Sequence, residues 1–217
     1  MSDHSSADDA HRSERRFEVI STIILALAAL CTAWAGYQAS LWDGIQSAHY
    51  AQASALRVES AEKDSEADEY RLADLGVFEN YVDARVSGDE DLAEFYRHRF
   101  RPELETAYVA WKQLDPWTSE EAPPSPLGMP EYQLDIQDEA DALAHQATVS
   151  FAAGQAANDY SDVFTLATVL FASSLFFAAI SERFTITGAR WTLLGFGALA
   201  LVGGVIVAAT QPVTFGN

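Results

Sequence analysis

The fold is decided by FEVISTIILALAALCTAWAGYQASLW at residues 17–42, an apolar run with one charged side chain, near its start. As a helix, a run of this length crosses the roughly 30 Å hydrocarbon core of a bilayer. Two further apolar runs follow, VFTLATVLFASSLFFAAIS at residues 163–181 and WTLLGFGALALVGGVIVAAT at residues 191–210. The sequence therefore predicts an all-α membrane protein with three transmembrane helices and a large domain between the first and second.

Most of the charge lies in this intervening domain, residues 43–162. The whole chain has a formal net charge of −19, and the domain holds 26 Asp and Glu against 8 Lys and Arg. Such a surface repels nucleic acid, so we expect no nucleic-acid partner. The acidity fits either simple solvation in an acid-rich proteome or the attraction of cations or a basic partner.

Arginines beside the spans predict the orientation. Arg12, Arg15 and Arg16 precede the first span, while Arg183 and Arg190 lie between the second and third. Positive charges of this kind favour the cytoplasmic side. The predicted segments are a cytoplasmic N-terminal tail at 1–16, an extracytoplasmic acidic domain at 43–162, a cytoplasmic loop at 182–190 and an external C-terminal tail at 211–217.

The first run reads as an uncleaved signal anchor, because it is much longer than the apolar core of a signal peptide. Aromatic residues at its outer end and at the start of the third run are expected to anchor the chain at the membrane interfaces. These anchors are Trp34, Tyr37, Trp42 and Trp191. The single cysteine, Cys31, lies within the first run, so no intramolecular disulfide holds the acidic domain together.

Helical periodicity continues from the first span into the acidic domain. No Pro or Gly interrupts the chain between Ile45 and Leu75, and Ser87, Gly88 and Asp89 supply a stop and a new N-cap. We expect one long helix ending near residue 86. Its later part repeats apolar residues at helical spacing, at Tyr70, Ala73, Val77 and Tyr81.

A second external helix is predicted over residues 90–114, with a kink at Pro102. A Pro-rich strap over residues 115–130 should be extended, without regular hydrogen bonding. Helical periodicity resumes at Glu131 and continues into the second span. If the two long helices form an antiparallel hairpin, residues whose numbers add to about 203 should lie level, because both helices rise equally per residue.

Candidate chemistry is sparse. Glu18, Asp159 and Asp162 lie at span ends, where carboxylates can mark an ion path but can also simply reach water. No charge lies at mid-span, which disfavours a proton-coupled transporter. The basic residues Arg97, Arg99 and Arg101 could hold an anion or pair with surrounding carboxylates.

No Cys or His spacing resembles a zinc site, and no nucleophile, base and orienting group can be assembled from spacing. We therefore expect no catalytic, metal or cofactor site, and no enzymatic activity. The third span carries a stripe of small residues that suits close helix docking, either against the second span or against another subunit. The stripe consists of Gly197, Ala200, Gly204 and Ala208.

Four motifs resemble a group of bacterial three-span membrane proteins of unknown function. They are AWAGYQASLW at residues 33–42, RFRP at residues 99–102, APP at residues 122–124 with MPEY at residues 129–132, and ATVLFA at residues 167–172. The likeness covers most of residues 15–210 and implies no functional residue. With the signal anchor, it leads us to expect a bacterial or archaeal cytoplasmic membrane protein.

Two functions remain open at this point. The favoured one is a non-enzymatic structural or accessory subunit that docks against other membrane subunits or copies of itself. The other is a homo-oligomeric cation channel whose acidic domain forms an outer vestibule that concentrates cations.

The orientation can be tested by cysteine labelling. In a Cys31→Ala background, we expect Ser125→Cys to react with an impermeant thiol reagent applied to intact cells, because the acidic domain is predicted to face outward. Labelling is read by the mass shift of the purified chain. Labelling only after the cells are broken would reverse the predicted orientation.

Overall fold

All regular structure in the part of the chain that the structure describes is helical. The computed structural model describes residues 3–215, with side chains described from Arg12 onward. Its elements are α1 Asp3–Ser87, α2 Glu90–Arg97, α3 Pro102–Lys112, a 3-10 turn at Pro126–Gly128, α4 Asp135–Ser181 and α5 Thr187–Ala209. Three of these helices, α1, α4 and α5, are long and apolar enough to cross a membrane. This confirms the predicted helical class and the number of candidate spans.

The chain divides into two compact units. The span unit contains the chain up to Ala51 and from Phe151 onward, and the acidic unit is Gln52–Ser150. Each of the three candidate spans contributes its most apolar part to the span unit. The acidic unit contains the later part of α1, helices α2 and α3, the Pro-rich strap and the beginning of α4.

The end of α1 is where the sequence predicts it. Gly88 has a φ of 79°, a left-handed conformation that glycine adopts at little cost. The amide of Asp89 then donates to the carbonyl of Ala84 at 3.0 Å. The side chain of Asp89 accepts from the amide of Leu92 at 3.0 Å and so caps α2. The predicted stop and N-cap are confirmed.

The single kinked helix predicted over residues 90–114 is wrong, because the segment forms two helices. Helix α2 ends at Arg97 and α3 begins at Pro102, with Arg101 in extended conformation at φ −66° and ψ 158°. Proline has no amide hydrogen to donate and disfavours helical geometry in the residue before it. Pro102 therefore starts a helix, a position in which its missing donor costs nothing.

Three other predicted boundaries need correction. Helix α4 begins at Asp135, later than Glu131, and α5 begins at Thr187, so the end of the predicted 182–190 loop is helical. The strap over residues 115–130 is not fully extended: it contains the 3-10 turn and a turn in which the amide of Thr118 donates to the carbonyl of Asp115 at 2.9 Å. Polar helix ends carry little hydropathy signal, which explains these differences.

Aromatic residues form the core of the acidic unit. The hydroxyls of Tyr81 and Tyr108 are hydrogen-bonded at 2.6 Å, and the indole N–H of Trp111 donates to the carbonyl of Pro123 at 2.6 Å. The strap is thereby fastened to α3. The buried members of this core are Phe78, Tyr81, Ala84, Ala93, Leu104, Tyr108 and Trp111.

Helices α1 and α4 run antiparallel within the acidic unit. Ser60 donates to the carbonyl of Ala140 at 2.9 Å, and Lys63 pairs with Glu139 at 3.2 Å. The numbers in these pairs add to 200 and 202, close to the predicted level of about 203. The pairing and its approximate register are confirmed.

In the span unit, the stripe of small residues on α5 packs against α4 of the same chain. A Cβ atom added to Gly204 would lie 2.6 Å from the ring of Phe171, and one added to Gly197 would lie 3.2 Å from the carbonyl oxygen of Ser174. Ala208 is also buried, in a cluster with Phe171, whereas Ala200 is half-buried. Of the two uses that the sequence left open, the structure shows docking against the second span.

This contact predicts unequal effects for two adjacent glycines. We expect Gly204→Ala to lower the free energy of unfolding by about 1–3 kcal/mol, since the added methyl group would clash with the ring of Phe171, which is 1% exposed. Gly203→Ala is the matched control, because nothing lies within 4 Å of its added Cβ. Denaturant unfolding in detergent, followed by tryptophan fluorescence, compares them. Equal destabilisation would contradict the close helix contact.

Candidate functional site

The most distinctive polar group of the acidic unit is a buried carboxylate, Asp74, which is 2% exposed. It lies on the same face of α1 as Phe78 and Tyr81. The sequence placed Tyr70 and Ala73 on the buried face, and this was wrong, because both are exposed. Apolar periodicity does not include an aspartate, so the sequence reasoning missed Asp74. Its spacing of four and seven residues from Phe78 and Tyr81 was nevertheless a signal that it shares their helix face.

Two groups from distant parts of the chain hold Asp74. The hydroxyl of Tyr132 donates to Oδ2 at 2.8 Å, and Nη1 of Arg101 lies 3.2 Å from the same oxygen. Tyr132 precedes α4, and Arg101 is the N-cap residue of α3. A buried carboxylate is tolerated only when it is paired and hydrogen-bonded. The cluster therefore ties α1, the start of α3 and the segment before α4 together.

Burial and hydrogen bonding shift the pKa values in this cluster. Burial raises the pKa of Asp74 above its ordinary 3.8, although the Tyr132 hydrogen bond and the Arg101 charge both oppose this rise. Burial also raises the pKa of Tyr132, with the bond to Asp74 adding to the effect, so its hydroxyl remains a donor at neutral pH. Since the folded protein holds the Asp74 proton more tightly, this residue's contribution to stability is largest below pH 3.8 and is lost as pH rises through the raised pKa.

Arg101 extends from this cluster to an open hollow of about 290 Å³. Its guanidinium carbon lies 4.2 Å from the ring centroid of Tyr70, and Nη2 lies 3.2 Å from Glu103. Lys63 and Glu139 also line the hollow, and the hydrogen bond and charge of Glu139 raise the pKa of Lys63. The cations that line the hollow are thus paired with carboxylates, and the Lys63–Glu139 pair joins α1 to α4.

The three predicted anion-binding arginines do not converge on one point. Arg97 pairs with Glu105, whereas Arg99 donates to the carbonyl of Phe95 at 2.9 Å and covers the Phe95 ring. Arg101 belongs to the Asp74 cluster. The sequence left open either anion binding or pairing with carboxylates. The structure shows pairing for Arg97 and Arg101.

The three predicted ion-path carboxylates are all exposed. Glu18 and Asp159 are exposed, and exposed Asp162 accepts a hydrogen bond from Asn158 at 3.0 Å. Within the described residues, no group of three or more His, Cys, Asp or Glu side chains could hold a metal ion.

The four predicted interface aromatics have different surroundings. Tyr37 is 55% exposed and Trp34 is 40% exposed, as expected for residues that face a surface. Trp191, which is 39% exposed, packs edge-on against Phe17 with ring centroids 5.3 Å apart. Trp42 instead donates its indole N–H to the carbonyl of Pro212 at 3.1 Å. It therefore fastens the segment that follows α5.

That segment is also held by Gln38, a residue that the sequence reasoning missed. Gln38 is 1% exposed, its Nε2 donates to the carbonyl of Thr214 at 2.8 Å, and its Oε1 accepts from the amide of Thr214 at 3.0 Å. The segment predicted as a tail is thus attached to α1 at Thr214, within the described residues up to Phe215. A carboxamide inside an apolar run was the available signal, since it requires polar partners.

The Asp74 cluster predicts a pH-dependent effect of Tyr132→Phe. We expect a loss of about 1.5–3 kcal/mol of unfolding free energy where Asp74 is ionised, and a smaller loss where it is protonated, because bonds to charged groups are stronger. The pKa of Asp74 should also rise further, since its charged form loses a donor. NMR titration of the carboxyl carbon and unfolding at several pH values measure both effects.

Tyr70→Phe is the control for this experiment. It removes an exposed hydroxyl that donates to Glu66 at 3.1 Å but keeps the ring beneath Arg101. We expect little loss of stability and no change in the pKa of Asp74. Equal effects of Tyr70→Phe and Tyr132→Phe would refute the role given to the buried hydroxyl.

Comparison with known proteins finds no relative of this chain. No protein-family model, no curated protein and no solved structure matches the chain. The resemblance to bacterial three-span membrane proteins stays a prediction. Function is therefore inferred from the geometry of the chain itself.

Proposed function

We propose that this protein is a non-enzymatic structural or accessory subunit of a membrane assembly, with its acidic unit binding a partner. The supporting observation is an apolar hollow of about 170 Å³ on that unit, lined by Arg85, Val86 and Trp117. Val86 is 76% exposed and Trp117 is 56% exposed. Tryptophan and arginine are enriched among residues that dominate binding energy at protein interfaces.

The buried aromatic and charged side chains of the acidic unit hold the unit itself together. We therefore assign partner binding to the exposed hollow. Within residues 90–114, Tyr108 and Trp111 are buried in the unit's own core. Asp74 and Arg101 are likewise engaged with each other. Trp117 differs, since it packs edge-on against Trp111 while leaving most of its ring uncovered.

Charge near the hollow indicates the chemistry of the partner. Asp89, Glu90 and Asp91 follow Val86 closely in the chain, and Glu90 pairs with Arg85. A partner that inserts an apolar side chain beside Trp117 and carries basic residues around it would match both features. We propose such a basic, extracytoplasmic partner.

The proposed placement follows from charge and hydropathy together. Three apolar helices are compatible with insertion in a bacterial or archaeal cytoplasmic membrane. The arginines before the first span and between the second and third support a cytoplasmic N-terminus. In this placement the acidic unit lies outside the cell.

Mutation of the hollow tests this proposal. The native protein, purified in mild detergent, should carry a second, unrelated subunit in native mass spectra, and Trp117→Ala or Val86→Asp should remove it. Both changes disturb the exposed anchors that a partner would bury. The matched control is Leu72→Asp, which adds the same charge at another exposed α1 position, 68% exposed and outside the hollow.

The mass of the particle separates the two functional classes. A closed ring of identical chains that survives Trp117→Ala would overturn the accessory role and support the cation channel. Equal loss of the second subunit in Leu72→Asp would show that added negative charge, and not the hollow, controls the association.

A further inference from the structure

A further cavity lies in the span unit, beside the beginning of α5. Its volume is about 300 Å³. It is lined by Ser13, Glu14, Phe17, Thr187, Arg190 and Trp191. Two of these residues were considered in the sequence only as a topology signal, Arg190, and as an interface anchor, Trp191. Their convergence in one cavity suggests a ligand site.

Arg190 is held in place with hydrogen-bonding capacity to spare. Its guanidinium carbon lies 4.1 Å from the ring centroid of Phe17, and its Nε is buried without a hydrogen-bond partner in the described part of the chain. The carboxylate of Glu14 lies 3.8 Å from Nη1, at the outer limit of an ion pair, and is itself largely exposed. An arginine fixed over an aromatic ring and only weakly paired presents an oriented cation to an incoming oxyanion.

The other wall of the cavity also favours an anion. Helix α5 has no side-chain cap at Ile186 and no acidic residue in its first turn. Its first amides therefore lack intrahelical acceptors, and Thr187 brings this end of the helix to the cavity. Ser13 adds a hydroxyl from α1. These groups supplement Arg190, which supplies the charge.

The position of the cavity along the spans identifies the source of the anion. Phe17 and Trp191 are the first residues of two apolar runs, and their rings form an edge-on wall with centroids 5.3 Å apart. Elsewhere on α1, exposed Val19 and Ile20 line a shallow hollow together with basic side chains. A phosphate with attached acyl chains matches a polar cavity beside apolar surface.

We propose that this cavity binds the phosphate of an anionic phospholipid at the membrane interface. The site rests on the membrane placement of the helices but not on the proposed partner or on the orientation. Glu14 competes with the lipid phosphate for Arg190. The guanidinium exchanges a long contact with an exposed carboxylate for a contact with the phosphate.

The test uses the purified full-length chain in detergent, titrated with phosphatidylglycerol and, separately, with phosphatidylcholine under native mass spectrometry. We expect tighter retention of phosphatidylglycerol. Arg190→Gln should weaken it at least about tenfold, since a hydrogen bond to a charged group is lost. Glu14→Gln should strengthen it, because the competing carboxylate is gone.

Arg183→Gln is the matched control, since it removes one positive charge from the same segment but lies outside the cavity. It should leave phosphatidylglycerol binding nearly unchanged. Equal weakening by Arg183→Gln and Arg190→Gln would mean diffuse charge attraction and would overturn the site. Unchanged or weaker binding in Glu14→Gln would also overturn it, and this variant keeps the test decisive if Arg190→Gln does not fold.

A final arm distinguishes a lipid from free phosphate. Inorganic phosphate is added at increasing concentration to the protein with phosphatidylglycerol bound. Retention of the lipid supports the proposal, because the apolar wall contributes to binding. Displacement of the lipid by inorganic phosphate at a concentration equal to that of phosphatidylglycerol would assign the cavity to free phosphate and refute the lipid proposal. Loss of the second subunit in Trp117→Ala is measured separately, so failure of one proposal leaves the other intact.

Discussion

The antiparallel contact between α1 and α4 is the interaction on which each unit depends. In the acidic unit it brings Lys63 to Glu139 at 3.2 Å, and in the span unit it brings Gln46 to Asn158 at 2.8 Å. Most helical stability in proteins comes from tertiary packing, so the contact of α1 and α4 with each other supplies much of the stability of both helices. In the acidic unit, α3 and the strap pack against this helix pair. In the span unit, α5 packs against it.

Buried polar groups select one arrangement of these helices. Gln38 satisfies its carboxamide on the backbone of Thr214, and Asp74 requires both Tyr132 and Arg101. An apolar contact tolerates small shifts in register, but a buried hydrogen bond does not, because the unpaired group would lose its partner without regaining water. We interpret these residues as determinants of a unique register, paid for in desolvation, which is evident in the raised pKa of Asp74.

The functional proposals depend on the groups that folding leaves unsatisfied. The aromatic core and the small-residue stripe are both used within the chain, so neither offers a surface to a partner. Trp117 is left mostly exposed, and Arg190 lines a cavity where its contact with Glu14 is long, at 3.8 Å. The first suits a protein partner and the second an oxyanion, because exposed aromatic area and a weakly paired cation are stabilised by different ligands.

Hydropathy and periodicity by themselves determined the helical class, the three candidate spans, the stop at Gly88 and the register of the long helices, because these follow from local backbone preferences and equal helical rise. Tertiary structure alone decided which polar side chains are buried. The positions of Asp74 and Gln38 among apolar residues indicate burial, but their partners come from distant parts of the chain, and Arg190 becomes a candidate ligand only when α5 is placed beside Phe17. Partners far apart in the chain leave no local signal, since burial depends on the packing of whole elements.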